Sequence, residues 1–351
     1  MKLLKDIRTM IFVGIGLCIA FSTYAQDNSL IGAGSTFVNP LFSKIFSVYE
    51  SKNHVRVNYQ AIGSGGGILQ LNNKTVDFGV SDAPLNKEQT KKMGAQVLQI
   101  PMASGAVVIS YNLPGLKTKL KLSGKTLGDI FLGKITNWND PNIAASNKGV
   151  KLPNQPIAVI HRSDGSGTTY IITDYLTKVN STWAKNVGKA SAVYWPAGLG
   201  EKGNSGVLSF VKQTPGAIGY VELAFAIQNK MLFADIQNKS GLYIPANLAS
   251  TTLSSDITNL PADAVVSITN TDNPNGYPIA SFTWALIYKD QKYSKQSVTK
   301  ATNLLKLLWY NIHEGQAYCA PLNYAPLSNS ALKIAEKILK SATYGGKPIL
   351  K

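Results

Sequence analysis

From Asp27 onward the chain alternates apolar strand-like runs with helices, and three of the connecting turns consist almost wholly of glycine and small hydroxyl residues: "GAGSTF" (32–37), "GSGGG" (63–67) and "DGSGT" (164–168). This alternation restricts the fold more than any other feature, because parallel strands need helical crossovers; it reads as α/β with largely parallel sheets. "VRVNYQAI", "VDFGVSDAPL", "VVISYN", "PIAVIHR", "GAIGYVEL" and "TWALIYK" read as strands. "NPLFSKIFSVYESK" reads as an amphipathic helix, with Leu41, Ile45 and Val48 near helical spacing, and "TTYIITDYLTKV" as another. Two helices close the chain, "SVTKATNLLKLLWYNIHEGQAYC" and "SALKIAEKILKSA". The segment 229–276, rich in Asn, Ser, Thr and Pro, reads as surface loops with short helices. Candidate crossings between two lobes lie near Pro101–Ser104 and Pro278–Ser281, and a chain that crosses twice has a discontinuous first lobe.

The 351 residues, 44% of them hydrophobic and 15% charged, are ample for two packed domains. Residues 1–25 differ from the rest. Lys2, Lys5 and Arg8, against Asp6, precede the twelve uncharged residues "MIFVGIGLCIAF", and Thr23 and Ala25 stand at the −3 and −1 positions of a cleavage site. The pattern is that of a secretory signal peptide, since the apolar run is too short to span a bilayer. A lipoprotein signal using Cys18 is the weaker alternative, because Leu17 is a poor small residue before it. No later segment reaches membrane-spanning length. Cleavage leaves Cys319 alone, so no internal disulfide can form and the fold must rest on its core, with Cys319 as a small buried residue.

The formal net charge is +16; the first 25 residues hold three bases and one acid, which leaves +14 for the remainder. A basic chain invites a nucleic-acid reading. The lysines are scattered singly, however, without a basic-aromatic motif, and an exported chain has little access to such a partner; no nucleic acid is expected. The charge instead suits mild long-range attraction of small anions or the outer face of an anionic membrane, and charge alone does not decide between them.

Each glycine-hydroxyl turn opens a helix. A helix N-terminus carries unpaired N–H groups and a partial positive charge, so each turn is a candidate anion cradle; the alternative for any one of them is simple capping. "HRSDGSGTTY" (161–170) adds Arg162 to such a turn. None is a nucleotide signature: "SGKT" (123–126) follows Lys119 where a P-loop needs glycine, and no turn reads G-x-G-x-x-G. "SDGSG" has Ser163 where G-x-S-x-G needs glycine. His54, His161, His313 and the lone cysteine show no metal-ligand spacing, so neither metal nor cofactor is expected. A fourth turn, "SDAP" (81–84), places Asp82 where its carboxylate would repel an anion unless that anion had a proton to donate; phosphate always has one near neutral pH, and sulfate has none. A loop-capping aspartate is the plainer alternative.

Taken together these turns resemble the periplasmic phosphate-binding proteins of the bacterial phosphate-specific ABC transporter. The resemblance runs from "IGAGSTF" to "LNYAPL" and includes "VNYQAIGSGGG", "DFGVSDAPL", "LSGKTLGDIFLGKITNWNDP", "RSDGSGT", "GLGEKGNSGV" and "PGAIGYVE". It implies the two-lobed periplasmic binding protein fold (type II) with the ligand in the interlobe cleft: lobe one from 26–102 and 279–351, lobe two from 103–278. It also implies phosphate contacts from Thr36, Phe37 (by its N–H), Ser64, Asp82, Arg162, Ser166, Gly167 and Thr168, with Asp164 pairing with Arg162 to aim its guanidinium. The function implied is capture of inorganic phosphate by a monomer in the periplasm and its delivery to the permease and ATPase subunits of an ABC importer. Glu201 in "GLGEKGN" stands where the family has glycine, and 229–276 match the family poorly.

Two other readings compete. A secreted hydrolase would need metal ligands or a nucleophile-base pair, which the motifs do not supply. An adhesin or extracellular DNA-binding protein is prompted only by charge.

Overall fold

The computed structural model describes residues 27–257, 259–294 and 296–350; the expected signal segment 1–25, with Cys18, lies outside them. Eight strands form the main sheet: β1 Ser29–Gly34, β2 Arg56–Ala61, β3 Phe78–Ser81, β4 Val97–Tyr111, β5 Ala158–Arg162, β6 Leu199–Glu201, β7 Ala217–Glu222 and β8 Ala280–Tyr288. Their order is β2-β1-β3-β8-β4-β7-β5-β6. The flanks are parallel, β1 with β2 and β3, and β5 with β6 and β7. The centre is antiparallel, because β8 pairs with β3 and β4, and β4 with β7.

That centre joins the two lobes. β4 pairs with β8 as far as Ala106, and from Val107 with β7. The return lies alongside, where the Val107 N–H donates to the Ile279 carbonyl at 2.8 Å. The expectation of a separate "VVISYN" strand is corrected: one continuous strand runs from Val97 to Tyr111. Pro101 disguised it. The proline faces Trp284 where the register shifts between Thr283 and Trp284, and such an irregularity tolerates the missing N–H. From Ile100 onward the strand is buried on both faces, so it carries no alternation to read.

Two further expectations are corrected. The penultimate helix ends at Ile312 and gives way to a 3₁₀ turn, Glu314–Tyr318. His313 leaves helical geometry there, with its ring held by the Trp309 carbonyl at 2.9 Å and Glu336 at 2.8 Å. Within 229–276, the short strands Asp235–Gln237 and Tyr243–Ile244 join Lys121–Leu122 in a three-stranded sheet, too brief to leave a pattern.

One apolar core runs through both halves of the main sheet, where a fully buried large side chain contributes about 1.5–3 kcal/mol. Phe42, Phe46 and Phe78 cluster in the first lobe. In the second, buried Trp138 donates to the Gly216 carbonyl at 2.9 Å and Phe131 packs on Tyr220. Cys319 is buried, and burial pushes its thiol up to about 12, so it packs as a small hydrophobe. Among the described residues no helix is long and apolar enough to cross a membrane.

Candidate functional site

The site-bearing turns all follow the carboxyl ends of strands, where open α/β sheets form their crevices. β1 runs through "GAGSTF" into helix α1, Asn39–Asn53. β2 reaches Gly63, which caps α2, Ser64–Asn72. β3 ends at "SDAP". On the second lobe β5 leads into α3, Gly167–Val179, and β6 into α4, Gly203–Gln213. The N-termini of α2 and α3 are brought together across the cleft: the Gly167 N–H donates to Ser64 Oγ at 3.1 Å, and the Gly65 N–H to the Gly165 carbonyl at 2.8 Å. Such an end presents N–H groups and positive potential to an anion.

Arg162 has a buried side chain held in a fork. Its Nε donates to Asp164 Oδ1 at 2.7 Å, its Nη2 to Oδ2 at 2.5 Å, and its Nη1 to Thr168 Oγ1 at 3.2 Å. Burial pushes the Asp164 carboxyl up, but the hydrogen bonds and charge of Arg162, aided by the Gly203 N–H, outweigh it and hold the group below the usual carboxylate range. Fixing the guanidinium in this way removes rotamer freedom that a ligand would otherwise have to restrict.

Asp82 is buried to 1% exposure. It accepts from Ser35 Oγ at 2.7 and 2.6 Å and from Thr283 Oγ1 at 2.6 Å, while its own N–H donates to Ser64 Oγ at 3.2 Å. Burial pushes its carboxyl up to about 6, against the lowering effects of the Ser35 and Thr283 hydroxyls, the Arg162 charge and Ser64. Arg162 thus stands beside two acids, Asp164 and Asp82. An anion held here depends on hydroxyls and backbone N–H groups as much as on net charge.

The remaining expected residues fall in the same place. Thr36 Oγ1 accepts from Asn204 Nδ2 at 2.8 Å. The Phe37 N–H donates to Ser35 Oγ at 3.0 Å, and its carbonyl accepts from the Tyr324 hydroxyl at 2.7 Å. Ser166 Oγ caps α3 by accepting from the Thr169 N–H at 3.0 Å. His161, by contrast, stacks on Trp195 at 4.8 Å and lies against the Arg162 carbonyl, and burial lowers its pKa. It packs rather than pairing with a serine.

Three members were missed from the sequence. Ser35 lies inside "GAGSTF" and Asn204 inside "GLGEKGNSGV", where nothing in the residue type separates them from ordinary turn and capping residues. Thr283, with Ser281, interrupts an otherwise apolar buried strand, and that polar interruption is the available signal. Among the described residues no group of three His, Cys, Asp or Glu is placed to hold a metal ion.

Residues 22–307 match the family profile of the PBP superfamily domain. The chain is 40% identical over 325 residues to the phosphate-binding protein PstS of Pasteurella multocida, covering 90% of this chain and 92% of that one. It is 42% identical over 307 residues to PstS of Haemophilus influenzae, covering 87% and 90%. Among solved structures, a high-affinity periplasmic phosphate-binding protein (PfluDING) superposes with a TM-score of 0.72 at 19% identity, covering 91% of this chain and 96% of that chain, which establishes the shared two-lobed fold. With its glycine-hydroxyl turns, its forked arginine and a fold of two lobes joined through β4 and β8, the chain belongs to the PstS family of the periplasmic binding protein superfamily.

Proposed function

We propose that this protein captures inorganic phosphate in the cleft between its lobes and delivers it to an ABC importer, without catalysis. The observation that carries the reading is the convergence of the N-termini of α2 and α3 with Arg162 and Asp82, donors and one acceptor facing each other across the lobes. The ligand contacts proposed are the hydroxyls of Thr36, Ser64, Ser166 and Thr168, the N–H groups of Phe37 and Gly167, the outer donors of Arg162, and Asp82. The Phe37 and Gly167 N–H groups are hydrogen-bonded to Ser35 and Ser64 in the structure, so their contributions require an exchange of partner. Hydrogen bonds to a charged group are worth about 1.5–3 kcal/mol each, so removing water from a small oxyanion is offset only when many act together.

The division into lobes 26–102 with 279–351, and 103–278, is part of the proposal; it is supported by the change of partner along β4 just past Ala106. So are the cleavable signal peptide 1–25, residence in the periplasm, a monomeric state, and docking to the permease and ATPase subunits. The relatives' names support the ligand.

Isothermal titration with phosphate, arsenate and sulfate tests the central claim. Phosphate is expected to bind at one site per chain, with sulfate rejected, and small-angle scattering should show compaction on binding. A phosphatase rate that follows the protein through purification and disappears in a cleft variant would overturn it.

A further inference from the structure

Asn204 is fully buried at the first turn of α4 and touches both lobes. Its Oδ1 accepts from the Glu222 backbone N–H at 2.9 Å. A backbone N–H can only donate, so the amide orientation is determined, and its NH₂ must face the other way. There Nδ2 donates to Thr36 Oγ1 at 2.8 Å, on the first lobe, and to Thr168 Oγ1 at 3.2 Å, on the second. Each threonine oxygen receives a second donor as well. Thr36 Oγ1 accepts from the Asn204 N–H at 3.3 Å, and Thr168 Oγ1 from Arg162 Nη1 at 3.2 Å.

A hydroxyl has two lone pairs and one proton. When N–H groups occupy both lone pairs, the only hydrogen bond left to the hydroxyl is one it donates. We infer that Asn204 is a positioning residue that sets the polarity of the cleft: with Arg162 it makes Thr36 and Thr168 obligate donors, so that neither can accept the proton of a ligand and each can only donate to a ligand oxygen. With these two hydroxyls excluded as acceptors, the charged acceptor left in the cleft for the proton of a hydrogen phosphate is Asp82. The inference rests on the phosphate reading above and adds to it the orientation of the ligand. It also gives the closed cleft a bond that spans the lobes, since Thr36 and Asn204 come from opposite sides.

The test is phosphate titration of the wild-type protein and of Asn204→Ala, Asn204→Asp, Thr36→Val and Thr36→Val/Asn204→Ala, with unfolding measured without phosphate as a control for folding. Asn204→Asp is nearly isosteric and keeps the acceptor for the Glu222 N–H, but it replaces the donor facing the threonines with a charged acceptor. Asn204→Ala should weaken phosphate about tenfold or more, and Asn204→Asp further still. In the Thr36→Val background the loss from Asn204→Ala should shrink severalfold, a coupling that a space-filling residue would not produce. Should Asn204→Asp fail to fold, Asn204→Ala and its cycle carry the result. Folded variants that bind like wild type, or losses that simply add, would overturn the role of Asn204. A wild-type protein that binds no phosphate would instead overturn the functional reading, and this inference with it.

Discussion

The Gly65 N–H donates across the cleft to the carbonyl of Gly165 at 2.8 Å, so that two backbones from opposite lobes meet with no side chain between them. A Cβ placed on Gly65 would stand 3.0 Å from Gly165 Cα, and one on Gly165 would stand 3.1 Å from Gly65 Cα. Nearby, a Cβ on Gly167 would fall 2.4 Å from Asp82 Oδ2 and 2.5 Å from Ser64 Oγ. Closure here is a matter of backbone approach, which a side chain at Gly65 or Gly165 would press apart and one at Gly167 would obstruct.

Gly65→Val should therefore hold the cleft ajar. Overpacking of this kind costs about 1–3 kcal/mol, which corresponds to a phosphate affinity roughly 5- to 150-fold weaker. Small-angle scattering should show less compaction with saturating phosphate than the wild type does. A variant that compacts fully and binds normally would show that the seam is not limiting.

Arg162→Ala should cost more affinity than Ser166→Ala. The first removes a guanidinium with a buried side chain and strands Asp164, whereas the second removes one hydroxyl that water can replace. Ser166→Ala should also lower stability by about 1 kcal/mol through loss of the cap on α3. Equal affinity losses in titration would contradict the assigned roles.

Asp82→Asn should leave phosphate binding in place while sulfate gains affinity. A buried carboxylate stabilises only a ligand that can donate to it, and an amide can turn to donate instead. The ratio of phosphate to sulfate affinity is the measurement. If the variant discriminates as strongly as the parent, selectivity lies elsewhere.

The same carboxyl predicts a pH dependence in the absence of ligand. Its folded value is raised to about 6 from 3.8. The folded state therefore binds the proton more tightly than the unfolded chain, and the associated stability is present below the unfolded value and lost as pH rises through about 6. The shift corresponds to about 3 kcal/mol at most. Relative to Asp82→Asn, the wild type should lose stability between about pH 4 and pH 7. Denaturant midpoints whose difference does not change with pH would refute this.

Glu222 is fully buried, and burial pushes its carboxyl well above the usual range. Oε2 accepts from the Ala224 N–H at 2.8 Å and lies 3.1 Å from the Tyr324 hydroxyl, whose proton has the Phe37 carbonyl as its nearer acceptor, at 2.7 Å. A neutral acid fits that arrangement. Glu222→Gln should thus change stability by less than about 1 kcal/mol, whereas Glu222→Ala should cost about 1–3 kcal/mol by leaving buried groups unpaired. A large loss in Glu222→Gln would mean that the ionised form is the native one.

Much of the site was legible as local chemistry. Gly63, Ser64, Arg162, Asp164 and Ser166 stand in turns whose composition already prescribes a helix start beside an oriented charge, and the alternation of elements prescribed α/β layering. Ser35, Thr283 and Asn204 were not legible in that sense. Each is an ordinary small polar residue whose role comes from a partner far along the chain: Thr283 meets Asp82 across 201 residues, and Asn204 meets Thr36 across 168.

The Val107–Tyr111 end of β4 was legible as an apolar β-branched run, but Pro101 masked its continuity with Val97–Ala106, and its change of partner at Ala106 and Val107 is set by which strands lie beside it. Sequence alone determined which backbone segments could present donors, because turn composition and capping act over three or four residues. Only the tertiary structure decided which donors face one another and which way each hydroxyl proton points, because hydrogen-bond polarity is settled by the partner that occupies each lone pair, and those partners are assembled by the packing of one lobe against the other.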